Sequence, residues 1–461
     1  MKKILIILLS FMCGVLFVSC DDGEFKDDPV PVIPVPKPLK AVRAEDGDEI
    51  VSAIINHEDK TIELSLVNLK SLSNVKVYLS ISPRAKLINP TDTVVSLDLT
   101  SPYDIIISNL EEELKYTIIA EILPKLKVKE LWKKTAKELN FALHNNGAVG
   151  ISGNYIVVHD RARFSYYNIS DGEKVGDMSW KGIDWSAELG FAAPLHMTTD
   201  DAGNVVSCNA AIAAGQEIHM YWWEGVTAEP QLLFSYVLDI PNTTNPQVGR
   251  KIYVKGDMTK QAYLYLGVSN NNMFLQWEIK NGQVVSQTPK QVNYYIEDKY
   301  KMGIQPKIVP IELNENSNYF INRYEDNKAK VAITYMDGET NTPKYQSESI
   351  PGETLGGGHA FDYVDMNGMK YIFMIEQNGD YWMKLIFDIR VMMKHPSYIN
   401  SIEELIHTRD WDDRLYLPHE LGKNGNVTGE VKARVAPDGN SAIVAFLCTN
   451  SGVIVWEVDL E

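Results

Sequence analysis

Five cationic or protonatable residues recur at similar places in a repeated stretch of this chain. They stand about 9 to 13 residues before the apolar residues Val205, Tyr263, Tyr319, Tyr371 and Ala442, and they are His196, Arg250, Lys307, His359 and Lys432. Ammonium and guanidinium groups bind carboxylates, phosphates and sulfates through charge-assisted hydrogen bonds. The formal net charge of the chain is −17, so a recurring set of cations is unexpected and indicates a site for an anionic ligand. The alternative is that each side chain pairs with an Asp or Glu of a neighbouring repeat.

Two tryptophans add a second kind of candidate contact. Trp185, in WKGIDWSAELGF, and Trp411, in RDWDDR, stand in polar loop sequences. The flat face of an indole ring stacks on sugar rings, so both residues are candidates for a carbohydrate platform. The alternative is that each ring covers a hydrophobic edge.

The elements that must position these residues are six copies of one pattern between Asn154 and Glu461. Each copy has an apolar strand, a polar turn and a second strand with an aromatic residue near its end. These aromatic residues are Tyr167, Trp223, Trp277, Tyr335, Phe387 and Trp456. A repeat of about 50 residues built from short strands is typical of a β-propeller, which we expect over residues 125–461. Because the aromatic position is shared by all copies, we expect it to fill the core rather than to contact a ligand.

The ends of the repeat region predict how the ring of blades closes. The sixth copy lacks an outer strand, and KELWKKTA, from Lys129, resembles the outer strands of the other copies. We therefore expect this N-terminal strand to complete the last blade of a six-bladed ring. The longer gap before the sixth copy, where Ser401–Glu404 predicts the start of a helix, leaves seven blades as the alternative. Cys208 and Cys448 lie in apolar strands of different copies, which favours buried thiols; a disulfide requires those blades to be neighbours.

The region before the repeats is predicted to form a smaller domain, which is also built from β-strands. Residues 41–124 contain six or seven short stretches with period-two alternation and β-branched residues, separated by turns. This pattern predicts an immunoglobulin-like β-sandwich. The whole chain is therefore expected to be all-β.

The first forty residues predict where the protein is located rather than how it folds. Residues 1–19 have the basic start and apolar run of a signal peptide, and they end at Cys20. The run LFVSC resembles a bacterial lipoprotein signal, in which Cys20 is lipidated; a secreted protein with an ordinary Cys20 is the alternative. Residues 20–40 form an acidic and proline-rich tether.

The stretch DDGEFKDD after Cys20 resembles the acidic export tag of surface lipoproteins. Together with the two-domain layout, the chain resembles uncharacterised surface lipoproteins of Bacteroidetes with an N-terminal Ig-like domain and a C-terminal β-propeller. The resemblance implies a lipid anchor in the outer membrane that faces the cell exterior, with the periplasmic face as the alternative. It also implies partner proteins of a glycan-uptake system.

Three classes of function are compatible with these features. The first is a binding module for glycans, including acidic ones, at the mouth of the propeller channel. The second is a propeller glycoside hydrolase or polysaccharide lyase, for which Asp184, Glu188, Asp362 and Asp365 are available carboxylates. The third is a protein-interaction scaffold. Familiar catalytic, metal and cofactor motifs do not occur in the sequence, so we favour binding over catalysis and expect no cofactor. The negative net charge argues against a nucleic-acid partner.

Overall fold

The structure is a computed structural model. It describes residues 36–110, 112–144, 146–160, 163–185, 194–240, 246–269, 271–295, 306–322, 333–346, 356–378, 381–399, 405–408, 420–422 and 429–461. Cys20, Trp411 and the predicted helix start at 401–404 lie outside these residues. The chain divides into two compact units, residues 1–123 and 124–461.

The first unit is formed by two β-sheets with one shared core, and all of their described strand pairs except one are antiparallel. Its strands are β1 (Leu39–Asp46), β2 (Glu49–Ser52), β3 (Ile54–Asn56), β4 (Thr61–Leu66), β5 (Val75–Ile81), β6 (Ala85–Asn89), β7 (Val94–Leu97), β8 (Tyr103–Asn109) and β9 (Glu112–Ile122). The sheet orders are β2-β1-β5-β7 and β3-β4-β9-β8-β6, and β4 pairs with β9 in parallel. These nine strands exceed the six or seven that the sequence predicted, because β1 begins inside the predicted tether, β6 was missed, and one predicted stretch divides into β2 and β3.

Period-two burial explains why these strands form a two-layer unit. In β4, Ile62, Leu64 and Leu66 are buried, whereas the residues between them are partly exposed. Side chains of both sheets meet in one hydrophobic cluster, as expected when each strand has one apolar face. The buried carboxylate of Asp46 accepts hydrogen bonds from the backbone N–H groups of residues 67–69 at 2.7–3.0 Å, and so fixes the loop after β4 to the end of β1.

The second unit contains six antiparallel sheets among its described residues. Five of them have four or five strands in near-sequential order. Sheet 1 is β11 (Asn146–Ser152), β12 (Tyr155–Asp160), β13 (Arg163–Asn168) and β14 (Lys174–Asp177); sheet 2 is β15 (His196–Thr199), β16 (Val205–Cys208), β17 (Glu217–Trp223) and β18 (Gln231–Val237); sheet 3 is β19 (Ile252–Asp257), β20 (Gln261–Gly267), β21 (Met273–Lys280), β22 (Gln283–Val284) and β23 (Lys290–Asn293); sheet 4 is β24 (Ile308–Pro310), β25 (Tyr319–Asn322), β26 (Ile333–Met336) and β27 (Pro343–Gln346); sheet 5 is β28 (Gly356–Met366), β29 (Met369–Asn378), β30 (Tyr381–Asp388) and β31 (Ile406–Thr408).

Sheet 6 joins the two ends of the unit. It contains β32 (Gly429–Val435), β33 (Ser441–Cys448), β34 (Gly452–Leu460) and, as its outer strand, β10 (Leu126–Thr135). The strand β10 pairs with β34 from Leu126↔Leu460 to Thr135↔Gly452. The predicted pairing of the strand at Lys129 with the C-terminal repeat is therefore confirmed.

Hydrogen bonds connect each sheet to the next and the sixth to the first. Five of these bonds join Ile151 N to Thr199 Oγ1, Met258 N to Asp200 Oδ2, Lys307 Nζ to the Phe361 carbonyl, Ala433 N to Asp362 Oδ2, and Arg434 Nη2 to the Gly153 carbonyl. A bond from Gln276 to the Glu315 carbonyl links sheets 3 and 4. The first strand of sheet 1, β11, contacts the first strands of both sheet 2 and sheet 6.

The shared aromatic position is part of the core, as predicted. All six residues at this position are buried, and Trp223, Trp277 and Phe387 are almost fully so. Trp277 stacks on Phe234 of the preceding sheet, with ring centroids 4.7 Å apart. The aromatic residue thus fills the space between adjacent sheets, where a large flat side chain buries the most area.

Two smaller expectations concern the two cysteines and the helix predicted to start at 401–404. Cys208 and Cys448 are buried free thiols, in sheets 2 and 6, and burial raises their pKa. The sequence predicted that a helix starts at 401–404, but residues 406–408, which this helix would contain, form β31, which pairs with β30. The short helix α1 (Arg390–Lys394) and a 3₁₀ turn at Pro396–Tyr398 precede it. Within the described ranges, no helix has the length and apolar character that crossing a membrane requires.

Candidate functional site

Three of the predicted cationic residues come together, but in the interior. His196 is the first residue of β15, Lys307 directly precedes β24, and Lys432 lies within β32. Their exposed fractions are only 2%, 2% and 3%. The expectation that they line an open channel mouth is therefore wrong, because they lie within the first strands of their sheets or directly before them, and are buried there.

These residues form what we call the central cluster. It comprises His196, Lys251, Tyr253, Lys307, Asp362, Glu430 and Lys432, all of them less than a tenth exposed. The members come from the first strands of five different sheets, or from the residue immediately before such a strand. The alternative interpretation of the sequence expected the cations to pair with acidic residues of neighbouring repeats. Lys432 does lie near Asp362 of the preceding sheet, whereas His196 and Lys307 pair with Glu430, which belongs to a sheet that is not next to theirs.

Glu430 is the hub of the cluster. Its Oε2 accepts a hydrogen bond from His196 Nε2 at 2.7 Å and pairs with Lys251 Nζ at 2.8 Å, and its Oε1 pairs with Lys307 Nζ at 2.5 Å. The backbone N–H of Val431 also donates to Oε1, at 3.1 Å. Burial alone raises the pKa of a carboxyl, but here the two ammonium groups and the imidazole outweigh it and hold the pKa of Glu430 well below its ordinary value.

The hydrogen bonds of His196 define its protonation state. The backbone N–H of Ile252 donates to Nδ1 at 3.2 Å, so this nitrogen carries no proton. Nε2 therefore carries the proton and donates it to Glu430, and the ring is neutral. Burial is the main reason that the pKa of His196 falls to about 4, although Glu430 acts in the opposite direction.

The two lysines that contact Glu430 are also bound by backbone carbonyls. Lys307 Nζ donates to the carbonyl of Phe361 at 2.6 Å and to that of Val431 at 3.0 Å, so all three of its N–H donors have acceptors. Lys251 Nζ donates to the carbonyl of Gly429 as well as to Glu430. Burial lowers the pKa of Lys251, against the attraction of Glu430.

Asp362 anchors the other side of the cluster. Its Oδ1 accepts hydrogen bonds from Tyr253 Oη and from the backbone N–H of Tyr363, both at 3.0 Å, and its Oδ2 accepts from Ala433 N at 2.8 Å. Lys432 Nζ lies 4.0 Å from Oδ2 and 4.8 Å from the centre of the Tyr253 ring. Burial raises the pKa of Tyr253 well above its ordinary value, and Asp362 adds to this shift.

This arrangement binds sheets together and does not suit catalysis. A general acid or base must reach a substrate proton, yet each oxygen of Glu430 and of Asp362 already accepts at least one hydrogen bond inside the protein. In the part of the chain that the structure describes, no three His, Cys, Asp or Glu residues stand close enough to hold a metal ion.

The other predicted contact residues are not part of the cluster. Arg250, next to Lys251, is partly exposed, and its Nε donates to Gln247 Oε1 at 3.3 Å. His359 lies in β28, but its side chain is outside the described part, as is Trp411. Trp185 is 6% exposed and packs edge-on against Trp180 and Tyr221 at centroid distances of 5.9 and 5.4 Å. Its proposed role as an exposed carbohydrate platform is therefore wrong, because other aromatic rings cover it.

Sequence reasoning missed Lys251, Tyr253 and Glu430 as interior residues. A signal was present: Lys251 and Lys307 are each followed by an isoleucine that opens an apolar strand. A charged residue directly before a buried apolar strand lies in the protein interior together with that strand. Choosing Arg250 instead of its neighbour Lys251 shifted the prediction by one residue, from the interior to the surface.

These observations define an all-β protein whose second unit has six consecutive small sheets among its described residues, five of which contribute to a buried ionic cluster. The chain belongs to the family described as "Domain of unknown function (DUF8500)", whose model matches residues 130–402, more than half of the chain. The matched region contains most of the second unit. No curated protein matches this chain.

Solved structures with a similar fold include a DUF4623 family protein from Bacteroides eggerthii. It has a TM-score of 0.51 and 16% sequence identity, and the match covers 92% of this chain and 98% of that chain. At this identity the likeness concerns the fold alone. A luciferin-regenerating enzyme (TM-score 0.38, 12% identity, 73% of this chain and 95% of that chain) and the extracellular domains 1-2 of Drosophila semaphorin 1a (0.37, 10%, 72% and 88%) are more distant.

Proposed function

We propose that this chain is a lipid-anchored glycan-binding module, with an Ig-like sandwich followed by a six-bladed β-propeller. The propeller is supported by the six sheets, by the hydrogen bonds that lead from each sheet to the next and from the sixth to the first, and by the pairing of β10 with β34. Ring closure by strands from both chain ends removes exposed sheet edges. The Ig-like assignment of the first unit is supported by its two sheets and shared core.

One observation carries the choice of binding over catalysis: the buried carboxylates at the centre are already engaged. Glu430 is bound by two ammonium groups and an imidazole, and Asp362 by a phenol and two backbone N–H groups. A glycosidase needs two carboxyl groups that can reach the sugar from opposite sides. Neither Glu430 nor Asp362 is open to a substrate, so the centre is better suited to hold the sheets together.

A ligand is then expected at the loops that lead into the first strands. Among the predicted contact residues whose side chains the structure describes, Arg250 is partly exposed. A guanidinium group forms two parallel hydrogen bonds with a carboxylate, which suits acidic glycans such as those containing uronic or sialic acids.

The experiment is a glycan-array screen with the full chain in detergent, followed by Kd measurements on any hit. We expect Arg250→Ala to weaken binding at least tenfold and Arg43→Ala, an exposed arginine of the first unit, to leave it unchanged. Binding that survives substitution of both Arg250 and His359 contradicts the site. Release of shortened glycans during incubation would instead favour the hydrolase or lyase alternative.

The anchor is tested separately. We expect the wild-type chain to partition with outer membranes and to be cut when intact cells are treated with protease. The Cys20→Ala variant should remain in the soluble fraction after signal cleavage, because a diacyl anchor is lost. A Cys20→Ala protein that still partitions with membranes contradicts lipidation, and protection from protease in intact cells favours the periplasmic face. Co-purification with glycan-uptake proteins tests the proposed partners.

A further inference from the structure

Tyr295 is the most exposed of the large apolar side chains that the structure describes, at 65%, and the only aromatic one among those that are strongly exposed. It follows the last strand of sheet 3, β23, and its neighbour Tyr294 is buried, with its ring stacked on Phe274. Successive side chains of an extended segment point to opposite sides, so the burial of Tyr294 turns Tyr295 outward. The backbone N–H of Tyr295 donates to the Asn341 carbonyl of sheet 4 at 2.9 Å, which fixes the backbone that carries the exposed ring.

Tyr295 lies at the same end of sheet 3 as Arg250, the contact residue of the proposed glycan site. The strand pairings align one row of residues across the sheet, namely Ile252 of β19, Leu266 of β20, Leu275 of β21 and Gln291 of β23. Arg250 precedes this row by two residues and Tyr295 follows it by four. Because β19 and β23 run in opposite directions, both residues lie beyond the same end of the sheet. Three strand spacings separate β19 from β23, or about 14 Å.

The loop between β20 and β21 lies between these two residues. It contributes Asn271 and Asn272, which are both partly exposed. Hydrogen bonds join its backbone to the end of β23, since Tyr294 N donates to the Asn272 carbonyl at 3.0 Å and Tyr294 Oη to the Asn271 carbonyl at 3.1 Å. Asparagine amides both donate and accept hydrogen bonds, which matches the hydroxyl groups of sugars. This end of sheet 3 therefore carries a cation, two amides and an aromatic ring in that order.

We infer that this end of sheet 3 binds an oligosaccharide in which uronic acids alternate with uncharged sugars. The acid lies at Arg250, and an uncharged sugar ring lies on the face of Tyr295. This inference rests on the proposed glycan-binding function and specifies the chemistry and the length of the ligand. A guanidinium group pairs with a carboxylate, whereas an aromatic face favours the apolar face of an uncharged ring. A disaccharide is too short to reach both residues, so the two contacts require a longer chain.

Hyaluronan oligosaccharides are the probe, because a uronic acid alternates in them with an uncharged N-acetylated sugar. Titration calorimetry with the full chain in detergent measures the Kd of the disaccharide and of the hexasaccharide. The wild type should bind the hexasaccharide more tightly. Tyr295→Ala should weaken hexasaccharide binding about fivefold and leave disaccharide binding unchanged, whereas Arg250→Ala should weaken both.

Two variants serve as controls. Tyr295→Phe keeps the aromatic ring and should bind both oligosaccharides like the wild type. Val285→Ala removes an exposed side chain directly after β22, which pairs with the opposite end of β21. Its binding should also be unchanged.

The outcomes separate this inference from the function on which it rests. Hexasaccharide binding that falls in Arg250→Ala but not in Tyr295→Ala would overturn the inference and leave the proposed function intact. Binding of oligogalacturonate, which consists of uronic acids alone, without binding of hyaluronan would do the same. A glycan array without any hit would instead remove the proposed function and the inference with it.

Discussion

Glu430 of β32 and His196 of β15 are hydrogen-bonded at 2.7 Å across 234 residues of sequence. Both side chains are 2% exposed, and the same carboxylate pairs with two lysines from other sheets. One side chain therefore links the first strands of several sheets. Because Glu430 of sheet 6 is buried and contacts side chains from sheets 2, 3 and 4, we expect the stability of the second unit to depend on Glu430 more than on its surface ion pairs.

Replacing Glu430 with glutamine tests this dependence. The amide keeps the shape but removes the charge that compensates Lys251 and Lys307, so we expect the free energy of unfolding to fall by about 3–5 kcal/mol. Urea denaturation at pH 7 measures the change. The matched control is Glu457→Gln, which breaks an exposed pair with Lys129 and should have little effect. Equal effects of the two substitutions would show that the cluster is not a special source of stability.

The same contacts predict a dependence of stability on pH. The pKa of His196 is about 4 in the folded protein, against an ordinary value of 6.5, so below pH 6.5 the unfolded chain binds a proton that the folded chain does not. This contribution to stability is fully present above pH 6.5 and is lost as the pH falls toward 4, by an amount on the order of 3 kcal/mol. The depressed pKa of Glu430 acts in the same direction, but only below about 4.5.

His196→Gln isolates the histidine contribution between pH 7 and 4.5. Glutamine can still donate to Glu430, but it does not titrate. Denaturation midpoints measured across this range should fall less steeply in the variant than in the wild type. Parallel slopes would mean that His196 is protonated equally in the folded and unfolded states, contrary to the hydrogen bond that its Nδ1 accepts.

Much of the second unit could be predicted from the sequence because its information is local and repeated. The shared aromatic position and the outer-strand character of residues 129–136 both follow from six aligned copies. The expectation failed where long-range pairing decides the structure. Glu404 suggested a helix by a local capping pattern, yet Ile406 and Thr408 pair with β30, because tertiary contacts override local propensity in short segments.

The site was harder to predict than the fold for a related reason. A lysine before an apolar strand looks the same in sequence whether it faces an open channel or a buried partner. Glu430 decides between these outcomes, and it lies 123 residues from Lys307 and 179 from Lys251. A local sequence pattern spans only a few residues and does not relate positions so far apart. The type and the approximate position of the cations were therefore predictable, but their burial was not.

The aromatic position offers a test of the core between sheets. Trp277 is almost fully buried and stacks on Phe234, so Trp277→Ala should lower the free energy of unfolding by about 3–5 kcal/mol through lost burial and a residual cavity. Tyr295, which is 65% exposed, provides the control, and Tyr295→Ala should change stability by less than about 0.5 kcal/mol. Thermal or urea unfolding of the two variants makes the comparison. A small effect at Trp277 would contradict its role in joining sheets 2 and 3.

Trp132 of β10 tests whether the N-terminal strand holds the last sheet to the first. Its ring is buried, its Nε1 donates to the Ile169 carbonyl at 2.9 Å, and it lies 6.4 Å from the Tyr167 ring of sheet 1. Removing it in Trp132→Ala takes away one of the side chains that join sheet 6 to sheet 1, and should lower the free energy of unfolding by about 3 kcal/mol. Because β10 is an outer strand, we expect the loss to appear first as local opening. Hydrogen exchange should therefore accelerate in β10 and along β34 before it does so in sheets 3 and 4.

The neighbouring exposed Lys133 supplies the control, and Lys133→Ala should leave exchange unchanged. Uniform acceleration of exchange across all six sheets would mean instead that the unit unfolds as a whole and that β10 is not the strand that opens first.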